Sequence, residues 1–246
     1  MRTRLVIAGL LLLFLLSQTS FGQGINSLSA KERAEGWQLL FDGKTLTGWH
    51  SSAPPAGRGP ATSGAAPKKT PPARPSTAAQ TGSNPKPCST AMGKSGPVPS
   101  GGSHWEIVNG LLTPCGEPAG YLTSDKSYKN FMLSIEFMCG EDTNSGVFLH
   151  AANEAGGYEV QIWKQQPAGY NTGSIVGTAK TTRPFNFTPD QWNQYQITVN
   201  GDHIVVVLNG ETTLDIHDTK FPEGNFRLQY QKFPIAFRNI KLRPLP

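Results

Sequence analysis

From His104 onward, apolar and polar residues alternate with a period of two in short runs broken by turn residues. That period is the signature of strands with one buried face. It predicts strands over 104–108, 111–113, 120–123, 130–139, 145–150, 157–163, 173–176, 192–199, 203–208, 211–216, 225–231 and 235–242. Asn109-Gly110, Asn200-Gly201 and Asn209-Gly210 fall between runs and read as hairpin turns. Many short strands without intervening long helices predict an all-β antiparallel sandwich or jelly roll and exclude a parallel α/β sheet.

Parity within the runs assigns faces. Phe131, Leu133, Ile135 and Phe137 share one side of their strand, with Met132, Ser134, Glu136 and Met138 on the other. Tyr158, Val160 and Ile162 oppose Glu159, Gln161 and Trp163. Phe226, Leu228 and Tyr230 oppose Arg227, Gln229 and Gln231, and Gly146, Phe148 and His150 oppose Val147 and Leu149. If these strands are neighbours, Glu136, Glu159, Gln161, Arg227 and Gln229 line one surface.

The chain before His104 follows other patterns. Ser29-Ala-Lys-Glu32 is a capping box, predicting a short helix over 29–35 that ends at Gly36. A strand over 37–41 and a turn at Asp42-Gly43 follow. Residues 51–103 hold 11 of the 20 prolines, 8 glycines, no aromatic residue and no acid. Such a segment buries too little apolar surface to offset its ordering entropy, so it is expected to be a disordered insertion. Residues 1–22 read as a secretory signal: Arg2 and Arg4 precede an apolar run from Leu5 to Leu16, and Ser20-Phe21-Gly22 suits cleavage before Gln23. The run is shorter than the ~20 residues a membrane-spanning helix needs. The expected organisation is a signal (1–22), one sandwich domain (23–50 and 104–246) and the insertion (51–103), in a secreted, periplasmic or extracellular protein with no stable membrane span after cleavage.

The net charge of +5 is then a property of the segments. Of 22 cations, six lie in 51–103 and two in 1–22, neither with an acid, which leaves 14 cations against 17 acids elsewhere. With no basic stripe interleaved with aromatics there, nucleic acid is not an expected partner. Three cysteines (Cys88, Cys115, Cys139) allow one internal disulfide and leave one thiol; a Cys88–Cys115 bridge would staple the insertion to the fold, while Cys139 lies on the core parity of its strand. There is no CxxC, HExxH, EF-hand, P-loop or nucleophile-elbow pattern, so a divalent metal has no sequence motif and the cofactor stays open.

The run Glu35-Gly-Trp-Gln-Leu-Leu-Phe-Asp-Gly-Lys-Thr-Leu-Thr-Gly-Trp49 resembles the opening of the 3-keto-disaccharide hydrolase family. The resemblance continues through Trp105-Glu-Ile-Val-Asn-Gly110, Gly120-Tyr-Leu-Thr123, Asn144-Ser-Gly-Val-Phe-Leu149, Tyr158-Glu-Val-Gln-Ile162, Thr172-Gly-Ser-Ile175 and Phe237-Arg-Asn-Ile-Lys241. It implies a concanavalin A-like jelly roll acting on a small-molecule or oligosaccharide substrate, a disaccharide or glycoside carrying a 3-keto group. A ketone at C3 acidifies the C2 proton, so a base, an enolate stabiliser and help for the leaving group suffice. Where the family commonly has an acid after the Tyr-Glu-x-Gln strand, this chain has Trp163-Lys164; where Gln-Asp-His-Gly is common, it has Gln229-Tyr230-Gln231-Lys232.

The expected catalytic residues are Glu136, Glu159 and His150. The expected substrate-binding residues are Gln161, Trp163, Arg227, Gln229 and Asn144. Each has a plainer reading: a solvated polar strand face for Glu159 and Gln161, an ion pair for Glu136, a strand-end histidine for His150, a turn for Asn144 and loop packing for Trp163. A non-catalytic sugar-binding module on the same fold stands as the alternative function.

Overall fold

The computed structural model describes residues 24–52, 104–115, 120–152, 156–181, 188–232 and 234–246. The signal-like segment and all but the first two residues of the Pro-rich segment lie outside these. Helix α1 (Ala30–Ala34) has Ser29 as its N-cap, with the capping box closed by Glu32. The remaining elements are strands: β1 (Gln38–Leu39), β2 (Trp49–Ser52), β3 (His104–Val108), β4 (Leu111–Cys115), β5 (Gly120–Tyr128), β6 (Phe131–Cys139), β7 (Asn144–Ala151), β8 (Tyr158–Ile162), β9 (Asn193–Asn200), β10 (His203–Leu208), β11 (Glu211–His217), β12 (Gly224–Lys232) and β13 (Ile235–Pro244).

They form two antiparallel sheets, a jelly-roll β-sandwich. Sheet A runs β11-β10-β9-β6-β13-β4-β3, with β1 also on β13; sheet B runs β2-β5-β12-β7-β8. The core lies between them. It joins Phe131, Leu133, Ile135, Phe137 and Tyr195 of sheet A to Leu122, Val147, Leu149, Tyr158, Val160, Phe226 and Leu228 of sheet B, all but sealed from solvent. Full burial of one such side chain stabilises by about 1.5–3 kcal/mol, which pins the register of every strand carrying one.

Turn chemistry sets the hairpins. Asn109 and Gly110 both take positive φ (53° and 78°), as do Asn209 and Gly210 (51° and 84°), the geometry of type I′ turns. Asn200 pairs directly with His203, so there the loop is Gly201-Asp202 with Gly201 at φ 65°. The N-terminal segment is tied to sheet A: Lys241 Nζ donates to Glu32 at 2.6 Å, and Asn26 and Asn239 bond each other's backbone N–H at 2.7 and 2.8 Å.

Three expectations change. Trp49–Ser52 is a strand, so Ser51 and Ser52 belong to the fold rather than to the insertion. The strand over 37–41 shrinks to two residues, Gln38–Leu39. Residues 173–176 are not a regular strand; Ile175 makes isolated bridges to Val160 and Ala179.

Candidate functional site

The face of sheet B turned away from the core carries the polar residues. Trp49 fixes one edge of it: its ring is buried and Nε1–H donates to the Leu40 carbonyl at 2.7 Å. Strand alternation then turns His50 outward. The pairings His50↔Thr123, Thr123↔Arg227, Arg227↔Phe148 and Phe148↔Glu159 lay one row across all five strands. A second row, Tyr121–Gln229–Gly146–Gln161, lies beside it.

Gly146 makes the middle of this face usable. A Cβ built there would stand 3.1 Å from both Cγ and Oε1 of Glu159. The Glu159 carboxylate therefore lies over β7, leaning toward β12, in space that any larger residue would fill. On β12 the Arg227 guanidinium stands 5.8 Å from the centre of the Tyr121 ring, and Tyr121 meets Phe148 edge-to-face at 5.5 Å. Thr123, Phe148, Gln161 and Gln229 are buried, so the face has a sheltered floor. Gln229 Oε1 is buried with no hydrogen-bond partner among the described residues. Gln161 uses its Oε1 on the Ile162 N–H at 3.0 Å, while its backbone carbonyl accepts from Tyr195 Oη at 2.6 Å and anchors β8 to the core. At the rim, His50 Nδ1 meets Asp125 Oδ1 at 2.7 Å, with both side chains more than half exposed.

Of the expected residues, Glu159, Gln161, Arg227 and Gln229 are brought together here. Asn144 opens β7 on the parity of Gly146, buried and in register with Lys232. Trp163 directly follows β8, half-buried, with its N–H donated to Thr172 Oγ1. Lys164, next in the chain, pairs with Glu141.

Two expected catalytic residues belong elsewhere. Glu136 sits on β6 in sheet A, across the sandwich from Glu159. Its oxygens accept from Arg238 Nε at 2.7 Å and Asn239 Nδ2 at 2.9 Å, and Arg238 in turn covers the Trp192 ring at 3.8 Å. Glu136 shares strand parity with Glu159, but parity cannot say which sheet a strand joins. His150 has φ 51°, beside a register shift between β7 and β12, and this reverses the side it faces. It turns into the protein, buried against Phe131 and Tyr158, with Nδ1 2.6 Å from the Phe221 carbonyl and Nε2 2.8 Å from that of Lys129. Sequence reasoning missed His50, Tyr121, Thr123 and Phe148. The motif Gly120-Tyr-Leu-Thr123 held a signal for two of them; His50 had none, because β2 was not recognised as a strand.

Among the described residues no three His, Cys, Asp or Glu side chains gather as a metal site. Cys115 is disulfide-bonded and Cys139 is a buried free thiol; Cys88 lies outside the described residues.

The sequence pattern of the 3-keto-alpha-glucoside-1,2-lyase-like domain matches residues 36–243. The chain belongs to that family. Solved structures share the fold of this lyase-like domain. A candidate glycosyl hydrolase from Parabacteroides distasonis is 18% identical, with a TM-score of 0.62 over 91% of this chain and 100% of its own. A second from the same organism is 24% identical, with a TM-score of 0.52 over 57% of this chain and 90% of its own. No protein of curated function matches. The family match spans both sheets, so the lyase-like domain includes every strand that carries the polar face.

Proposed function

We propose that the protein cleaves the glycosidic bond of 3-keto-glucosides by elimination across C1 and C2, with water adding afterwards. The observation that carries this reading is the convergence of Glu159, Arg227 and Gln229 across Gly146 on one sheltered face, in a chain of this family. Glu159 is the base that takes the C2 proton, the one acidified by the neighbouring ketone. Arg227 holds the negative charge that develops on the C3 oxygen, where a guanidinium on a sheltered floor acts more strongly than in water. Gln229 forms part of the sheltered floor beneath the sugar, and the Tyr121 and Phe148 rings offer apolar surface to its C–H face. The bonded Cys115 and the signal-like N-terminus support an exported protein.

The test is to follow C2 proton exchange and bond cleavage by NMR in D2O, on 3-keto-glucosides and on the same sugars unoxidised. Turnover is expected on the keto substrates alone, and Glu159→Gln should lower it by about 10²–10⁴-fold. Saturable binding without exchange or cleavage would instead support a sugar-binding module. Trp163-Lys164, in the stretch where the resemblance implies an acid, favours that second reading.

A further inference from the structure

We infer that His50, held by Asp125, is the general acid that protonates the departing glycosidic oxygen; this rests on the elimination proposed above. The row His50–Thr123–Arg227–Phe148–Glu159 places Arg227 at the centre of the five-stranded sheet, with His50 and Glu159 two strands away on opposite sides. Among the described residues of that row, these three are the ionisable ones.

One flanking group leans inward and the other is held at the rim. Glu159 lies over Gly146 on the neighbouring β7. His50 on β2 reaches Asp125 on the neighbouring β5. Strands about 4.8 Å apart put the two backbones about 19 Å from each other, and side chains reaching about 5 Å inward leave a gap of about 9 Å. An elimination needs a base about 3 Å from the C2 proton's carbon and an acid about 3 Å from O1, two bonds away, a span of about 8 Å. A sugar ring lying on the Tyr121 and Phe148 rings, which meet over β12, would bridge that span.

The hydrogen bond from His50 Nδ1 to Asp125 directs the other ring nitrogen, Nε2, away from the carboxylate. Trp49, locked in the core one residue earlier, keeps this backbone from swinging away. In the reaction, Glu159 takes the C2 proton and the C2–H electron pair becomes the enolate, with its charge on the C3 oxygen beside Arg227. That pair then forms the C1–C2 double bond as the C1–O1 bond breaks. The O1 electron pair takes the proton from Nε2 of the imidazolium, so one proton enters Glu159 and one leaves His50. Asp125 is a positioning residue.

Dependence on the leaving group provides the test. The full-length wild type, His50→Gln and Asp125→Asn are compared on 4-nitrophenyl 3-keto-glucoside, whose phenolate departs without protonation, and on methyl 3-keto-glucoside, whose alkoxide does not. His50→Gln is expected to lose about 10²-fold or more in kcat on the methyl substrate and less than about fivefold on the nitrophenyl one. Asp125→Asn should show the same split, smaller in size. C2 proton exchange should continue in both variants, because Glu159 is intact. Equal losses on both substrates, or no loss on either, would overturn the assignment of His50 while leaving the elimination standing. A wild type that neither exchanges nor cleaves removes the elimination itself, and His50's role falls with it.

Discussion

Gly146 shows how much a single missing side chain can decide. The Glu159 side chain crowds the space a Cβ at 146 would take, with Cγ and Oε1 each 3.1 Å from it. Gly146→Ala is expected to push the carboxylate aside and lower kcat at least tenfold. Its thermal midpoint should stay within a few degrees, because the strand backbone suits alanine. Steady-state kinetics beside a melting curve separate the two effects. Glu159, Gln161, Arg227 and Gln229 were all legible as polar positions opposite an apolar parity. His150 obeyed the same parity in the sequence and broke it in space, because one positive φ reverses a residue's side. Its two ring nitrogens meet two backbone carbonyls, so His150→Ala should cost about 1–3 kcal/mol in urea unfolding while leaving the proposed turnover by the folded protein unchanged.

At the scale of elements, alternation predicted nearly every strand but not which sheet it joins. β6 and β8 look alike, each with a glutamate opposite an apolar face, yet β6 lies beside β13 in sheet A and β8 beside β7 in sheet B. Sheet membership follows from pairings between residues far apart in the chain, and these leave no local signal. β2 escaped for a related reason: four residues running into a Pro-rich segment show too little alternation. Strand ends also respond to pH. On β8, Tyr158 is pushed up to about 12, chiefly by burial and then by its bond to Asp218. Unfolded, it would ionise near pH 10. The unfolded chain therefore binds fewer protons than the folded one between these values, so stability is intact below pH 10 and falls as the pH climbs through 12. Chemical denaturation at several alkaline pH values should show a shallower fall for Tyr158→Phe.

At the scale of the molecule, Cys139 reports on the sandwich as a unit. It lies at the end of β6, 1% exposed, its thiol pushed up to about 12 by burial. A thiol reagent should leave it untouched in the native protein and modify it at the rate of global opening; fast labelling without denaturant would show that the end of β6 opens locally. The placement of the last two strands has a further consequence. β12 joins β5 to β7 and β13 joins β6 to β4, so each sheet is closed by a strand that follows, in the chain, both partners it joins. Without them, sheet B is two separate strand pairs, β2–β5 and β7–β8, and Arg227 is missing from between His50 and Glu159. A chain folded only as far as β8 thus holds both flanks of the polar face and none of its centre. The polar face is complete only once β12 has entered between β5 and β7, partners that precede it in the chain and lie far from it in sequence.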